Sequence, residues 1–278
     1  MIRDKLWDKL KKFSPDATTN AGLWLDKFLL GDEQLKERQK EQKQKDQPKQ
    51  FLVKEVATAT KTSELYRAFY DRWKASLRND EQTLLAEAKV DGCLAIGLGD
   101  DGVLETSITL HHTYGVPYIR GSALKGLAAA FARNRIGGMW KADGFRSGKW
   151  QEISQAYKVV FGETDDVGYV TFHDALYVPP DPGHNKQALH ADIMTVHHPK
   201  YYSEKKENGE LLPPADWDEP TPVPFLSATG SYLIALSAPK GCREWLQAAF
   251  DILKLALAEE GIGAKTSSGY GRMTIQGR

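Results

Sequence analysis

The sequence predicts an α+β fold of the ferredoxin-like type behind a helical N-terminal region. Two observations carry this. From residue 91 onward, short apolar or alternating runs are interspersed with two stretches of helical periodicity, 120–136 and 243–260. Before that point apolar residues recur mainly at helical spacing. The chain has 278 residues, of which 41% are hydrophobic, so it can bury one large core or two small ones.

In chain order, Leu6, Leu10 and Phe13 recur at helical spacing, and Leu23, Trp24, Leu25, Phe28 and Leu29 follow after a break near Pro15. Residues 31–50 form a Gln/Lys/Glu tract with six basic and five acidic residues, closed by Pro48. It has almost nothing to bury and reads as a linker or a solvated helix end. A further helix starts at Ser63, with Tyr66, Phe69, Tyr70, Trp73 and Leu77 as its core stripe. The expected division is therefore a helical region over 1–90, with its linker at 31–50, and a second domain over 91–278.

In that second domain, 93–98 is an apolar run and Leu104, Thr106, Ile108 and Leu110 alternate. Both read as strands. The 120–136 helix has Ser122 as a natural N-cap and Leu124, Leu127, Ala128 and Phe131 as its buried face. Residues 169–178 read as a strand stopped by Pro179 and Pro180. Residues 199–224 contain prolines at 199, 213, 214, 220, 222 and 224, each removing a ladder donor. That segment is expected to be an extended hairpin or loop outside the core. Its six acids, Glu204, Glu207, Glu210, Asp216, Asp218 and Glu219, favour a protein neighbour over RNA. A strand at 231–238, a helix at 243–260 with Gly261 just beyond its end, and a closing strand at 273–276 complete the pattern.

Composition excludes some classes. Lysine plus arginine equals aspartate plus glutamate at 37 each, so bulk charge does not argue for any partner. Cys93 and Cys242 stand far apart without a CxxC spacing, which reads as a reduced, intracellular chain with no cysteine zinc site. The charged N-terminus lacks the apolar core of a signal peptide, and no stretch approaches the roughly 20 apolar residues of a membrane span. A soluble, cytoplasmic protein with no membrane partner and no cofactor is expected.

Charge is local instead. Residues 111–150 carry seven lysines or arginines against Asp143 alone. Gly121 and Ser122 open a helix there, where N–H groups and the positive end of the helix dipole attract anions, and Lys125 lies beside that end. The second anion-ready element is GIGAKTSSGYGRM at 261–273. It is not a Walker A loop, because Ala264 separates Gly263 from Lys265 and the segment follows a helix. Nor is it a dinucleotide fingerprint, which lies between a strand and a helix. It can track a phosphate chain, with Lys265 and Arg272 adding charge and Tyr270 a stacking face. The competing reading is a glycine loop that only lets the last helix and strand pack. Two such elements in one domain make a polynucleotide backbone the economical common ligand.

The histidines, His111, His112, His173, His184, His190, His197 and His198, match no zinc spacing. A general-base histidine for RNA cleavage is the enzymatic alternative. The structural reading of these histidines weighs more, and Asp174 and Asp192 stay ambiguous.

YIRGSALKGLAAAF, GYVTFHDALYV, DIMTVHHPKYY, PTPVPFLS and the terminal glycine-rich run resemble, in wording and order, the RAMP superfamily of CRISPR proteins and its subunits in type III-B (Cmr) effector complexes. The resemblance covers about 91–278. It implies RRM-like, ferredoxin-type modules and a place in a ribonucleoprotein filament with other Cmr RAMP subunits, guide RNA and target RNA. It implies a non-catalytic RNA-binding subunit of antiviral defence, at the end bearing the guide's 3′ region. The superfamily also contains a guide-processing endoribonuclease, which keeps a metal-independent histidine nuclease as the alternative. The implied RNA-contact positions are Arg120, Gly121, Ser122 and Lys125 at the helix start, with Gly263, Lys265, Ser267, Ser268, Tyr270 and Arg272 in the loop. Arg120 stands where the superfamily commonly has proline before Gly-Ser; the extra cation suits phosphate.

Overall fold

A strand that the helical reading of the first ninety residues passes over anchors the sheet. The computed structural model describes residues 15–16, 18–39, 46–59, 61–140, 154–181, 187–198, 201 and 213–275. Within it, Thr83–Val90 is β1, paired antiparallel with Ser231–Ser237 (β9) on one side and Met273–Ile275 (β10) on the other. Ala175–Tyr177 (β6) pairs with β9, and Tyr118–Ile119 (β2) with β6, giving the order β10-β1-β9-β6-β2. Helix α5 (Gly121–Phe131) follows β1, and α7 (Arg243–Glu259) follows β9. The units β1, α5, β6, β9, α7 and β10 thus follow a βαββαβ path with all neighbours antiparallel, the ferredoxin-like order, although its first strand lies in the stretch read as helical. The two helices pack on each other, and their buried residues include Leu124, Ala128 and Phe131 of α5 and Leu246, Ala249, Leu253, Ala256 and Leu257 of α7.

Helices α1 (Ala21–Lys27), α2 (Asp32–Arg38), α3 (Pro48–Ala59) and α4 (Glu64–Arg78) precede the sheet. Part of the presumed linker is therefore helical: Leu35 is buried, and Pro48 opens α3 instead of closing the tract, because the first helical position needs no N–H. Ser63 caps α4 by accepting the Tyr66 N–H. The expected stripe of α4 is confirmed, with Tyr66, Tyr70 and Leu77 buried and Phe69 and Trp73 packed beside them. Tyr66 donates its hydroxyl to the Tyr177 carbonyl at 2.6 Å, while Lys74 pairs with Glu87 of β1 at 2.7 Å. Helix α4 therefore spans β1 to β6. Trp24, Leu52, Val56 and Tyr66 belong to the same buried cluster as Leu233 and Leu253, so the N-terminal helices share the core of the sheet.

Three expectations change. Residues 104–110 form no strand: Leu104 and Ile108 are buried under an irregular loop, and only Leu110 makes a bridge, to Pro117. Alternating apolar residues require alternate burial, not a ladder partner. The 93–98 run makes only isolated bridges, Leu94 to Ala228 and Ala95 to Ala264. The 169–178 strand is broken into β5 (Thr171–Phe172) and β6. Phe172 opposes Leu236 and Leu176 opposes Leu233, so β9 uses three steps where this strand uses four: a bulge at His173 and Asp174. Residues 221–224, by contrast, fit the expected hairpin outside the core, as the exposed end of one of its strands. Leu189–Val196 (β7) and Thr221–Ala228 (β8) form a two-stranded ribbon inserted between β6 and β9. Among the described strands β8 has β7 as its only ladder partner, so Pro222 and Pro224, two residues apart, both direct their missing donors to the outer edge. Of the proline-rich excursion, 199–200 and 202–212 lie outside the described residues.

A short helix α6 (Gln155–Phe161) leads into the small hairpin of β3 (Gly162–Glu163) and β4 (Asp166–Val167). Among the described residues no helix is long and apolar enough to cross a membrane.

Candidate nucleic-acid interface

The glycine loop is built by its backbone contacts. Helix α7 ends at Gly261, whose N–H reaches the Ala256 carbonyl in a left-handed conformation at φ 78°. Ile262 donates to the Gly271 carbonyl at 2.8 Å, closing the loop at its root. Gly271 in turn donates to Cys93, and Ala264 to Ala95 at 2.7 Å, which pins the loop onto the segment after β1. A side chain at Gly271 would place its Cβ 1.9 Å from the Ile262 carbonyl oxygen, and one at Gly263 would lie 2.3 Å from that of Ala95. These glycines serve packing, as the bland reading of the loop holds.

The tip differs. Thr266–Ser268 makes a single 3₁₀ turn between two left-handed residues, Lys265 at φ 61° and Gly269 at φ 89°. Lys265 is the one non-glycine residue with positive φ among the described residues, a conformation that costs about 1–2 kcal/mol. The Ser268, Gly269 and Tyr270 N–H groups close the turn on the Lys265 and Thr266 carbonyls, so among the described residues Thr266 and Ser267 hold the backbone donors left for an anion. Ser267, Ser268, Gly269 and Arg272 are exposed, and Lys265 is half-buried. Tyr270 is not a free stacking face: its hydroxyl donates to Asp192 of β7 at 2.6 Å and its ring lies 6.2 Å from that of Phe225. Burial and the Asp192 carboxylate push its pKa up to about 12.

At the start of α5 the N-cap is Arg120, not Ser122, and no side chain caps from that position. The bulge supplies the acceptor instead, since Gly121 donates its N–H to Asp174 Oδ1 at 2.7 Å. A Cβ on Gly121 would lie 2.1 Å from the Phe172 carbonyl oxygen, so this glycine is required by the close approach of β5. Ala123 and Leu124 donate to the Arg120 carbonyl, and Ser122 is exposed beside them, with the half-buried Lys125 one turn along. Arg120 is paired with Asp100 at 2.8 Å, so part of its charge is already offset. Arg135 is likewise paired, with Glu260, and Lys141, Arg146 and Lys149 of the basic run lie outside the described residues. Among the described residues Lys125, Lys265 and Arg272 form no ion pair.

One segment connects the two elements. Ala95 carries the glycine loop and Asp100 holds Arg120. Five residues of extended chain reach at most about 18 Å, the span of a few nucleotides. Asp174 and Asp192, ambiguous in the sequence, thus acquire positioning roles through contacts to residues 53 and 78 positions away. Asp174→Ala should lower stability by about 1 kcal/mol through loss of a charged acceptor at the helix start, and Asp174→Asn by less. Thermal unfolding of the two variants measures the difference.

Three of the six described histidines are engaged by neighbours. His111 is half-buried in an aromatic cluster, with ring centroids 4.8 Å from Tyr114 and 5.6 Å from Phe69. His173 sits in the bulge, 2.8 Å from Ser237 Oγ and edge-on to Trp73. His198 meets Asp218 at 3.3 Å. His112, His190 and His197 are exposed, and His184 lies outside the described residues. Burial pushes the pKa of His111 and His173 below the usual histidine value of 6.5. A depressed folded pKa means that the unfolded chain binds the proton more readily. The stability these rings contribute is therefore complete above the unfolded value and is lost as pH falls toward the depressed folded ones. Urea midpoints should decline between about pH 7 and about pH 5, and His173→Gln should decline less over the same range.

The βαββαβ core, the glycine loop after its last helix and the basic helix start after its first strand define a class. The chain belongs to the RAMP superfamily, whose pattern matches residues 88–274. It is 32% identical over 260 residues to the CRISPR system Cmr subunit Cmr6 of Pyrococcus furiosus, covering 78% of this chain and 75% of that protein. The wording of its motifs likewise resembles this sixth Cmr subunit. A chain in the cryo-EM structure of the type III-B Cmr-beta complex bound to cognate target RNA aligns with 99% of this chain and 87% of its own length, with a TM-score of 0.61 and 18% identity. The crystal structure of Cmr6 from Pyrococcus furiosus aligns with 70% of this chain and 98% of its own, at 30% identity and a TM-score of 0.43.

Proposed function

We propose that the chain is a non-catalytic RNA-binding subunit of a type III-B CRISPR effector complex, capping its backbone filament at the 3′ end of the guide RNA in antiviral defence. The observation that carries this reading is the glycine-loop tip: an exposed turn flanked by two left-handed residues, with Lys265 and Arg272 beside it, neither ion-paired among the described residues. Such a surface binds a phosphate chain without reading bases. Guide RNA, target RNA and neighbouring Cmr RAMP subunits are the partners. The family relationship to Cmr6 supports the complex, and the acid-flanked, exposed Trp217 beyond β7 offers a protein neighbour an aromatic contact.

The nuclease alternative needs a histidine free to reach a 2′-hydroxyl. His111 is engaged by its aromatic neighbours, which favours a structural role. Incubation of purified protein with labelled repeat RNA in EDTA should yield no cutting. Specific cutting that disappears in the His111→Ala/His112→Ala double variant overturns the non-catalytic reading. Position is tested separately, by a photo-crosslinking residue at Ser267 in the assembled complex. Crosslinks are expected in the 3′-terminal nucleotides of the guide, and crosslinks confined to its 5′ end refute the capping role.

A further inference from the structure

We propose that Cys93, His190 and Asp192 form a binding site for one zinc-class divalent ion, fastening the β7–β8 ribbon to the root of the glycine loop. No spacing in the sequence announces this site, since its thiol precedes its imidazole and carboxylate by about a hundred residues. The fold brings them together. Cys93 lies just beyond β1, tied by its carbonyl to Gly271, while His190 and Asp192 alternate on β7 and so project from one face of the ribbon. The sulfur, an imidazole nitrogen and a carboxylate oxygen all lie within 4.8 Å of one another. A point no more than about 2.8 Å from all three therefore exists, and contraction by about 0.5 Å at the sulfur and about 0.7 Å at the nitrogen and oxygen brings it to zinc bond lengths. His190 is exposed, so its ring can make that adjustment without disturbing the core.

Donor chemistry selects the ion. Thiolate, imidazole and carboxylate together suit zinc, whereas magnesium and calcium take oxygen ligands. The thiol and the imidazole are otherwise unused: Cys93 is a free cysteine, and neither side chain makes a hydrogen bond among the described residues. The carboxylate, by contrast, is already oriented. Asp192 Oδ2 accepts the Tyr270 hydroxyl at 2.6 Å and faces Ser227 Oγ at 3.4 Å, while Oδ1 accepts the Ile193 N–H at 2.9 Å. Outer partners that hold a ligand in place are a regular part of metal sites. Binding replaces the Cys93 S–H bond with an S–metal bond and releases the proton to solvent, so affinity rises with pH. Three protein ligands leave the fourth position to water. Because Tyr270 belongs to the glycine loop and Cys93 to its anchor, the ion locks ribbon and loop to each other.

The test uses the full chain, stripped with chelator and titrated with Co²⁺ as a spectroscopic probe, then with Zn²⁺ as competitor. One ion should bind per chain, with a thiolate-to-cobalt charge-transfer band in the near ultraviolet that zinc abolishes. Cys93→Ser should remove the band, and Cys242→Ser should leave it intact. His190→Ala, at an exposed position that the fold does not need, should weaken binding at least about tenfold. Tyr270→Phe should weaken it about 10- to 100-fold by freeing the carboxylate. Absence of the band in the folded parent, or its persistence in Cys93→Ser, refutes the site.

Discussion

Gly271→Ala is expected to be the most destabilising single-methyl change in the glycine loop. Its Cβ would stand 1.9 Å from the Ile262 carbonyl oxygen, at a left-handed φ of 75°. The intruded atom is backbone, so no side chain can swing away. Relief requires breaking the hydrogen bonds from Ile262 to Gly271 and from Gly271 to Cys93, which hold α7, the loop and the segment after β1 together. Overpacking and left-handed strain together cost about 3 kcal/mol or more, which lowers Tm by roughly 6–10 °C in a protein of this size. Gly269→Ala is the control. Nothing lies within 4 Å of its Cβ, so only the conformational cost of φ 89° remains, about 1 kcal/mol. Equal losses in the two variants contradict this account of the loop. Gly121 belongs with Gly271: with the Phe172 oxygen 2.1 Å from any Cβ, its variants report on folding and not on RNA.

A Lys125→Ala/Lys265→Ala/Arg272→Ala variant should fold normally and lose most of the salt dependence of guide-RNA binding. All three cations are unpaired among the described residues, so their removal breaks no ion pair. Each phosphate contact on a single strand contributes about 0.7 to the slope of log K against log salt, so the slope should fall by about 2. Between about 50 and about 200 mM salt the parent should then lose about 20-fold more affinity than the variant. The effect should be alike for two unrelated RNA sequences, because backbone contacts position without specifying. Arg120→Ala should change the slope less, since Asp100 already offsets its charge. An unchanged slope in the triple variant, with circular dichroism confirming its fold, removes these residues from the RNA surface.

Local signals determined much by themselves. Helices α4, α5 and α7 were legible because each buries an apolar stripe at helical period, and β9 because its run Tyr232 to Leu236 is continuously apolar. The two glycine-flanked elements were legible as well, since Gly121 and the loop glycines stand out in any reading. Tertiary structure alone decided what those glycines do. A glycine signals that something approaches closely, without saying whether it is a phosphate or a carbonyl; at Gly121, Gly263 and Gly271 it is a carbonyl. Long-range partners also decided the rest. Residues 83–90 become a strand because β9 and β10 flank them, while 104–110 remain irregular because no ladder adjoins them. Asp174 at Gly121, Asp192 at Tyr270 and Asp100 at Arg120 join residues 53, 78 and 20 positions apart. Periodicity and motif spacing carry no information about such pairs, because a hydrogen bond or an ion pair depends on where the folded backbone places two groups and not on the chain between them.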